Sequence, residues 1–262
     1  VSCEEGCIRT VKVPSTPSDF SVGFASALAV SESGESEITD LVHATTVATN
    51  ALIQRKGARV GMITTRGFRD TLSLRRRDRR STYGLETAFL PLIPRALRRE
   101  VNERSSPCEP LVRVDPDEVV SMAESLWADG VEAILVAFLH SVTCPDNEQF
   151  AYDALRSTRP DALVFASHRL VDAPTEFERF STSAASVYVA PLLDTYLKGI
   201  SARLESTQNL QIVTSDGGLV APCVAIANPV RTALSGPAAG VWGARAVCEH
   251  IGQDAFVACD MG

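Results

Sequence analysis

Three short glycine-bearing strings stand where an apolar run ends or a helix opens: SDGG at 215–218, SGPAAG at 235–240 and DMG at 260–262. Backbone N–H groups converge at such turns, and a residue without Cβ lets an anion approach closely. Each string is therefore a candidate phosphate cradle, with Gly217, Gly218, Ser235, Gly236, Gly240 and Gly262 as the candidate binding residues. The competing reading is a tight turn at SDGG and close packing of a helix on a sheet at SGPAAG. Asp260 follows the apolar run AFVAC, where a carboxylate has the chemistry to hold Mg2+ or orient a water on a phosphate chain.

A further string, HATTVATN at 43–50, gathers a histidine with hydroxyl and amide side chains and almost no bulk. His43 is either a catalytic base or a hydrogen-bonded structural histidine, and Thr45 and Thr46 either serve a catalytic site or cap a helix. His140 stands at a strand end with the same two readings, while His168 and His250 read as surface or packing residues. The four histidines lack metal-ligand spacing, so no zinc site is expected. The seven cysteines are odd in number and mostly far apart, which argues for reduced thiols, several of them small core residues, rather than a disulfide framework. Arginines 75, 76, 77, 79 and 80 could clasp phosphate or nucleic acid, but stacking aromatics are missing apart from Tyr83, and a solvated loop fits better. In EFERFSTS, Glu176 and Arg179 are three apart and can pair on a helix surface, which by itself assigns them no function.

Apolar runs alternating with helical patterns position these residues and argue for an α/β fold. HATTVATNALIQRKG reads as a helix capped by Thr45 or Thr46 and stopped by Gly57, and ARVGMITT as the buried strand that follows. Asp115 caps the next helix with Pro116 in its first position, and Val119, Met122, Ala123 and Leu126 form its apolar stripe. Gly130 ends it, and 131–138 reads as a strand buried on both faces. A helix over 147–158, the strand ALVFAS, a long helix over 175–204 broken or kinked at Pro191, and the strand LQIVT follow. Ser235 is expected to open a helix that leads to a terminal strand ending at Cys259, and a boundary between two lobes is placed within 167–174.

At 262 residues the chain is long enough for one large α/β domain or two smaller ones. Its 45% apolar and 22% charged residues are ordinary for a globular protein, and its net charge of −7 disfavours nucleic acid as a partner. No apolar run is long enough to span a bilayer and no signal peptide is visible, so the default location is cytoplasmic, with no membrane partner.

The strings KVPSTP, HATTVATNALIQRKGARVGMITTRGFRD, PLIPR, GVEAILVAFLHS, EFERFSTSAASVYVAPLLDTYL, TSDGGL, LSGPAAGVWGA and DMG occur in an order that resembles the hydantoinase A / 5-oxoprolinase family, over essentially the whole chain. The resemblance implies an actin-like, ribonuclease-H-like ATPase fold with mixed sheets flanked by helices, incomplete here. It also implies an internal fragment: a first phosphate loop preceding Val1, and a second cut after Gly262. On this reading 1–170 is the family's N-terminal region, 171–262 begins its core domain, and the fragment alone is inactive.

The resemblance further implies ATP and Mg2+ as cofactors, a cyclic amide of the 5-oxoproline or hydantoin type as substrate, and a hydantoinase B-like partner subunit or domain. An acetone- or acetophenone-type carboxylase subunit and a catalytically silent assembly subunit are the alternatives. ATP would phosphorylate the carbonyl oxygen of an unstrained ring, making its carbon electrophilic toward water. Such chemistry needs phosphate positioning and charge stabilisation more than a strong nucleophile. Three positions depart from the family pattern: Ala44 replaces glycine, Asp216 replaces an amide, and Asp172-Ala173 stands where a proline-glutamate pair is usual.

Overall fold

The computed structural model describes residues 2–4, 7–16, 19–31, 38–76 and 89–259. The expectations placed on Asp260, Gly262, Arg77, Arg79, Arg80 and Tyr83 fall outside them. The chain runs β1 (Ser2–Glu4), β2 (Cys7–Arg9), α1 (Phe20–Ser31), β3 (Asp40–His43), α2 (Val47–Gln54), β4 (Val60–Thr65), α3 (Thr71–Leu74) and β5 (Arg98–Val101). It continues through β6 (Arg104–Ser105), β7 (Pro110–Val112), α4 (Pro116–Ala128), β8 (Ala133–Ala137), α5 (Asp146–Thr158), β9 (Leu163–Ala166) and α6 (Ser167–Leu170). The remainder is α7 (Glu176–Ser201), β10 (Asn209–Val213), β11 (Leu219–Val220), α8 (Pro222–Ala227) and α9 (Ser235–His250). Packing divides it into two units, Asn50–Pro191 and Val1–Thr49 with Leu192–Gly262.

In the Asn50–Pro191 unit four parallel strands lie in the order β5-β4-β8-β9. Every residue of β4 and β8 is buried, which accounts for their near-continuous apolar sequences. Asp115 accepts from the Asp117 amide at 3.0 Å to cap α4, whose Val119, Ala123 and Leu126 are fully buried. A Cβ on Gly61 would lie 2.8 Å from a Leu126 methyl, so this glycine lets the helix settle on the strand.

A buried polar network sits at the C-terminal ends of β8 and β9. Glu148 accepts from the Phe138 amide at 2.6 Å, from Ser167 Oγ at 2.9 and 3.0 Å, and lies 2.7 Å from His168 Nδ1. Arg179, with no exposed surface, donates to the Phe138 carbonyl at 2.7 Å, the Ala173 carbonyl at 3.1 Å and Ser167 Oγ at 3.1 Å. Glu176 and Arg179 do approach as an i,i+3 ion pair, at 3.9 Å, but not on the surface: the guanidinium is buried and its hydrogen bonds go to a sheet end. Residue spacing reports adjacency on a helix and says nothing of which way that face turns.

The other unit holds β11-β10-β3, with β3 and β10 parallel and β10 and β11 antiparallel. Leu193, Leu197, Ile200, Leu210, Ile212 and Ala225 form its core, with Phe24, Leu41 and Tyr196 packed against them. Each large aliphatic side chain buried there contributes roughly 1.5–3 kcal/mol.

Several boundaries differ from the sequence reading. His43 closes strand β3 and the helix begins only at Val47, with Thr45 Oγ1 accepting from the Val47 amide at 3.2 Å. Arg55, at φ 53°, ends α2 two residues before Gly57. Pro191 lies inside a continuous α7. Helix α9, by contrast, opens at Ser235 as read from the sequence, with Leu234 at its N-cap position. The expected terminal strand does not form: 255–259 are exposed and have no ladder partner among the described residues. Of the described cysteine side chains, only Cys144 is buried.

Candidate active site

Two parallel strands end side by side, because Ile212 of β10 pairs with His43 of β3. Loops 44–46 and 214–218 therefore leave the same edge of the sheet, the edge where ligands bind in open α/β folds. The second loop is a glycine turn: Gly217, at φ 81°, donates to the Thr214 carbonyl at 2.9 Å, and the Thr214 amide donates to the Gly218 carbonyl at 2.9 Å. A Cβ at Gly217 would lie 2.8 Å from Trp242 Nε1, which donates to the Gly217 carbonyl at 3.1 Å. Backbone angle and close approach both demand glycine here.

The first turn of α9 is brought to these loops by hydroxyls. Ser235 Oγ, fully buried, donates to the Thr45 carbonyl at 2.9 Å and accepts from the Thr45 amide at 3.2 Å. Thr49 donates to the Ala233 carbonyl, and the Leu234 amide donates to Ser215 Oγ at 3.0 Å. A Cβ on Gly236 would touch the Thr46 methyl at 3.4 Å, and one on Gly240 would meet nothing within 4 Å. The first N–H groups of a helix have no carbonyl one turn back, and the helix dipole favours negative charge beside them. A phosphate fits such a place.

Asp216 carries a fixed negative charge at this edge. The Thr214 hydroxyl, the Arg231 guanidinium and the Gly218 amide hold its pKa down to about 2. Arg231 approaches within 2.9 Å, so this carboxylate is paired. His43 is partly buried, and burial pushes its pKa down to about 4, which leaves the imidazole neutral at neutral pH. Its Nε2 lies 2.8 Å from Tyr196 Oη, and its ring stands edge-on to Phe24 with centroids 5.1 Å apart.

His43, Thr45, Thr46, Gly217, Gly218, Ser235 and Gly236 thus gather at one sheet edge, with Gly240 further along the helix that starts there. Sequence reasoning missed Tyr196, Trp242, Thr214 and Arg231. Thr214 adjoins the glycine string and was within reach; Tyr196 stands 153 positions from His43, and no local signal joins them.

The sequence matches the family model for the hydantoinase/oxoprolinase N-terminal region over residues 1–158 and that for hydantoinase/oxoprolinase over 179–262. The chain belongs to the hydantoinase/oxoprolinase family. Within the family, caprolactamase subunit alpha of Pseudomonas jessenii is 29% identical over 98% of this chain and 39% of its own length. The crystal structure of ATP-dependent caprolactamase from that organism superposes with a TM-score of 0.80 over 97% of this chain and 39% of its own. The 5-oxoprolinase of Saccharomyces cerevisiae is 33% identical over 87% of this chain and 20% of its own length. A nucleotide-free acetone carboxylase structure is 27% identical with a TM-score of 0.76 over 92% of this chain and 37% of its own. The chain spans about two fifths of the caprolactamase subunit or less of the other relatives, and shares the hydantoinase-type ATPase fold of these structures.

Proposed function

We propose that this chain supplies the nucleotide-phosphate site of an ATP-dependent enzyme that opens a cyclic amide of the 5-oxoproline, hydantoin or caprolactam type. The observation that carries the reading is the clasp of Ser235 on Thr45, which sets the start of α9 against the ends of two parallel strands. The backbone of Gly217, Gly218, Ser235, Gly236 and Gly240 surrounds the phosphates. Thr45 and Thr46 offer hydroxyls on the facing loop.

His43 acts in its neutral form, orienting its neighbours; a group that takes a proton only near pH 4 is a weak general base at pH 7. Mg2+ on a phosphate chain needs only one or two carboxylates from the protein, and Asp260 takes that role. Among the described residues no group of three or more His, Cys, Asp and Glu side chains is arranged to hold a metal by itself. Bound here, ATP would supply a phosphoryl group to the amide oxygen with ADP as the leaving group. Addition of water to the ring carbon, loss of inorganic phosphate and cleavage of the C–N bond, its nitrogen taking the proton that water gives up, would then open the ring. The site's task is to position and to neutralise charge.

The enzyme works in the cytoplasm with a hydantoinase B-like subunit or domain. A second reading, an ATP-using subunit of a ketone carboxylase, draws on the likeness to acetone carboxylase. The test is ADP release by the complete enzyme with Mg2+ and one added substrate. Stimulation by 5-oxoproline, hydantoin or caprolactam supports amide opening. Stimulation by acetone with bicarbonate supports the second reading, and ADP release that no substrate changes defeats both.

A further inference from the structure

Asp216, in the loop that follows β10, lies among three hydrogen-bond donors. The Thr214 hydroxyl donates to its Oδ1, the Gly218 amide donates to the same oxygen at 3.4 Å, and Arg231 Nη2 donates to its Oδ2 at 2.9 Å. A hydroxyl, a backbone amide at a glycine turn and a guanidinium are also the groups that hold a phosphate. Here the anion among them belongs to the protein.

Arg231 is fixed beside this loop through its backbone. Its carbonyl accepts from the Ser215 amide at 2.6 Å and from Ser215 Oγ at 2.7 Å, and that Oγ accepts from the Leu234 amide at 3.0 Å. Ser215 thereby joins the helical turn Pro229–Thr232 to the glycine turn, just before α9 begins.

The bonds from Thr214 and Gly218 are those an aspartate makes in any such turn, and asparagine would make both. A turn needs neither the charge nor the guanidinium. The side chains of Arg231 and Asp216 are 46% and 63% exposed, and an ion pair so open to water is weak. A phosphate chain brings more negative charge and more acceptor oxygens than one carboxylate, and a guanidinium fork fits two of those oxygens at once. The exchange of one anion for the other is therefore favourable, and the carboxylate left behind repels the phosphates.

We propose that Arg231 is a phosphate-binding residue, and that Asp216 competes for it with the phosphate chain of the nucleotide. The proposal rests on the nucleotide reading above and deepens it. The guanidinium turns from Asp216 to the phosphates as they arrive, and the aspartate limits how tightly they bind.

Calorimetry of Mg·ATP binding at pH 7 tests this with the complete enzyme and two variants. Asp216→Asn keeps both turn bonds and removes the competing charge, so it is expected to bind about three- to tenfold tighter. Arg231→Gln removes the phosphate's partner and is expected to bind about tenfold or more weakly. A role in shaping the turn alone gives no tightening in Asp216→Asn. Should one variant lose its circular dichroism spectrum, the other decides by itself. An Asp216→Asn enzyme that binds Mg·ATP no tighter than the unmodified one, or an Arg231→Gln enzyme with unchanged affinity, overturns the proposal and leaves the nucleotide reading standing. An unmodified enzyme that binds no Mg·ATP removes both.

Discussion

The Ser235 hydroxyl both donates to the Thr45 carbonyl, at 2.9 Å, and accepts from the Thr45 amide, at 3.2 Å. One side chain thereby satisfies two buried backbone groups 190 residues away, on the loop that follows β3. Ser235→Ala leaves both without their partner. An unsatisfied buried polar group costs about 1–3 kcal/mol. Urea unfolding of Ser235→Ala is expected to show a loss in that range, accompanied by weaker ATP binding.

Gly217 and Gly240 separate two uses of glycine. Gly217→Ala forces a side chain to φ 81° and into Trp242 Nε1, so stability falls by more than about 1 kcal/mol. Gly240 is inside α9 with open space around it, where alanine raises helix propensity by about 0.8–1 kcal/mol. Gly240→Ala should therefore raise the melting temperature of the nucleotide-free protein while lowering ATP affinity. A rise in both would mean that this glycine does not serve the nucleotide.

His43 and Asp216 give the protein two distinct acid limbs. The folded protein resists protonating His43 down to about pH 4, whereas the unfolded chain takes up that proton near pH 6.5. Stability is then lost as pH falls from about 7 to 4, by on the order of 3 kcal/mol, and His43→Gln should flatten this limb. Asp216 is held at about 2, below its ordinary value, so its contribution is present above about pH 4 and disappears only between there and about 2. Denaturation midpoints measured across these windows in His43→Gln and Asp216→Asn assign each limb to its residue.

In the Asn50–Pro191 unit, Arg179→Met removes a fully buried guanidinium while leaving Glu148 buried. Breaking one partner out of such a network costs about 3–5 kcal/mol. Equilibrium unfolding of the variant should show a loss of that size; a loss under about 1 kcal/mol would mean that the network contributes little beyond packing.

The elements that were legible in the sequence are those whose signals are local. The Asp115 cap, the Val119–Ala123–Leu126 stripe and the Gly130 stop of α4 all stand as the residues indicate, as does the buried strand that follows. The glycine strings likewise marked the turn at 214–218 and the start of α9. What failed was long-range or directional. His43 belongs to a strand because β10, some 170 residues later, pairs with it. Arg179 is buried because α7 turns that face to the end of β8, which no spacing rule encodes. The apolar run at 255–259 had the composition of a strand, but composition does not supply a ladder partner.

The central claim is that the edge where β3 and β10 end receives the phosphates of ATP. Titrating Mg·ATP into the 15N-labelled protein and following its backbone amides tests it most directly. Saturable shifts are predicted at 44–46, 215–218 and 235–240. Shifts confined to residues 50–191, or a titration that leaves the Thr45, Gly218 and Gly236 amides unmoved, would contradict it.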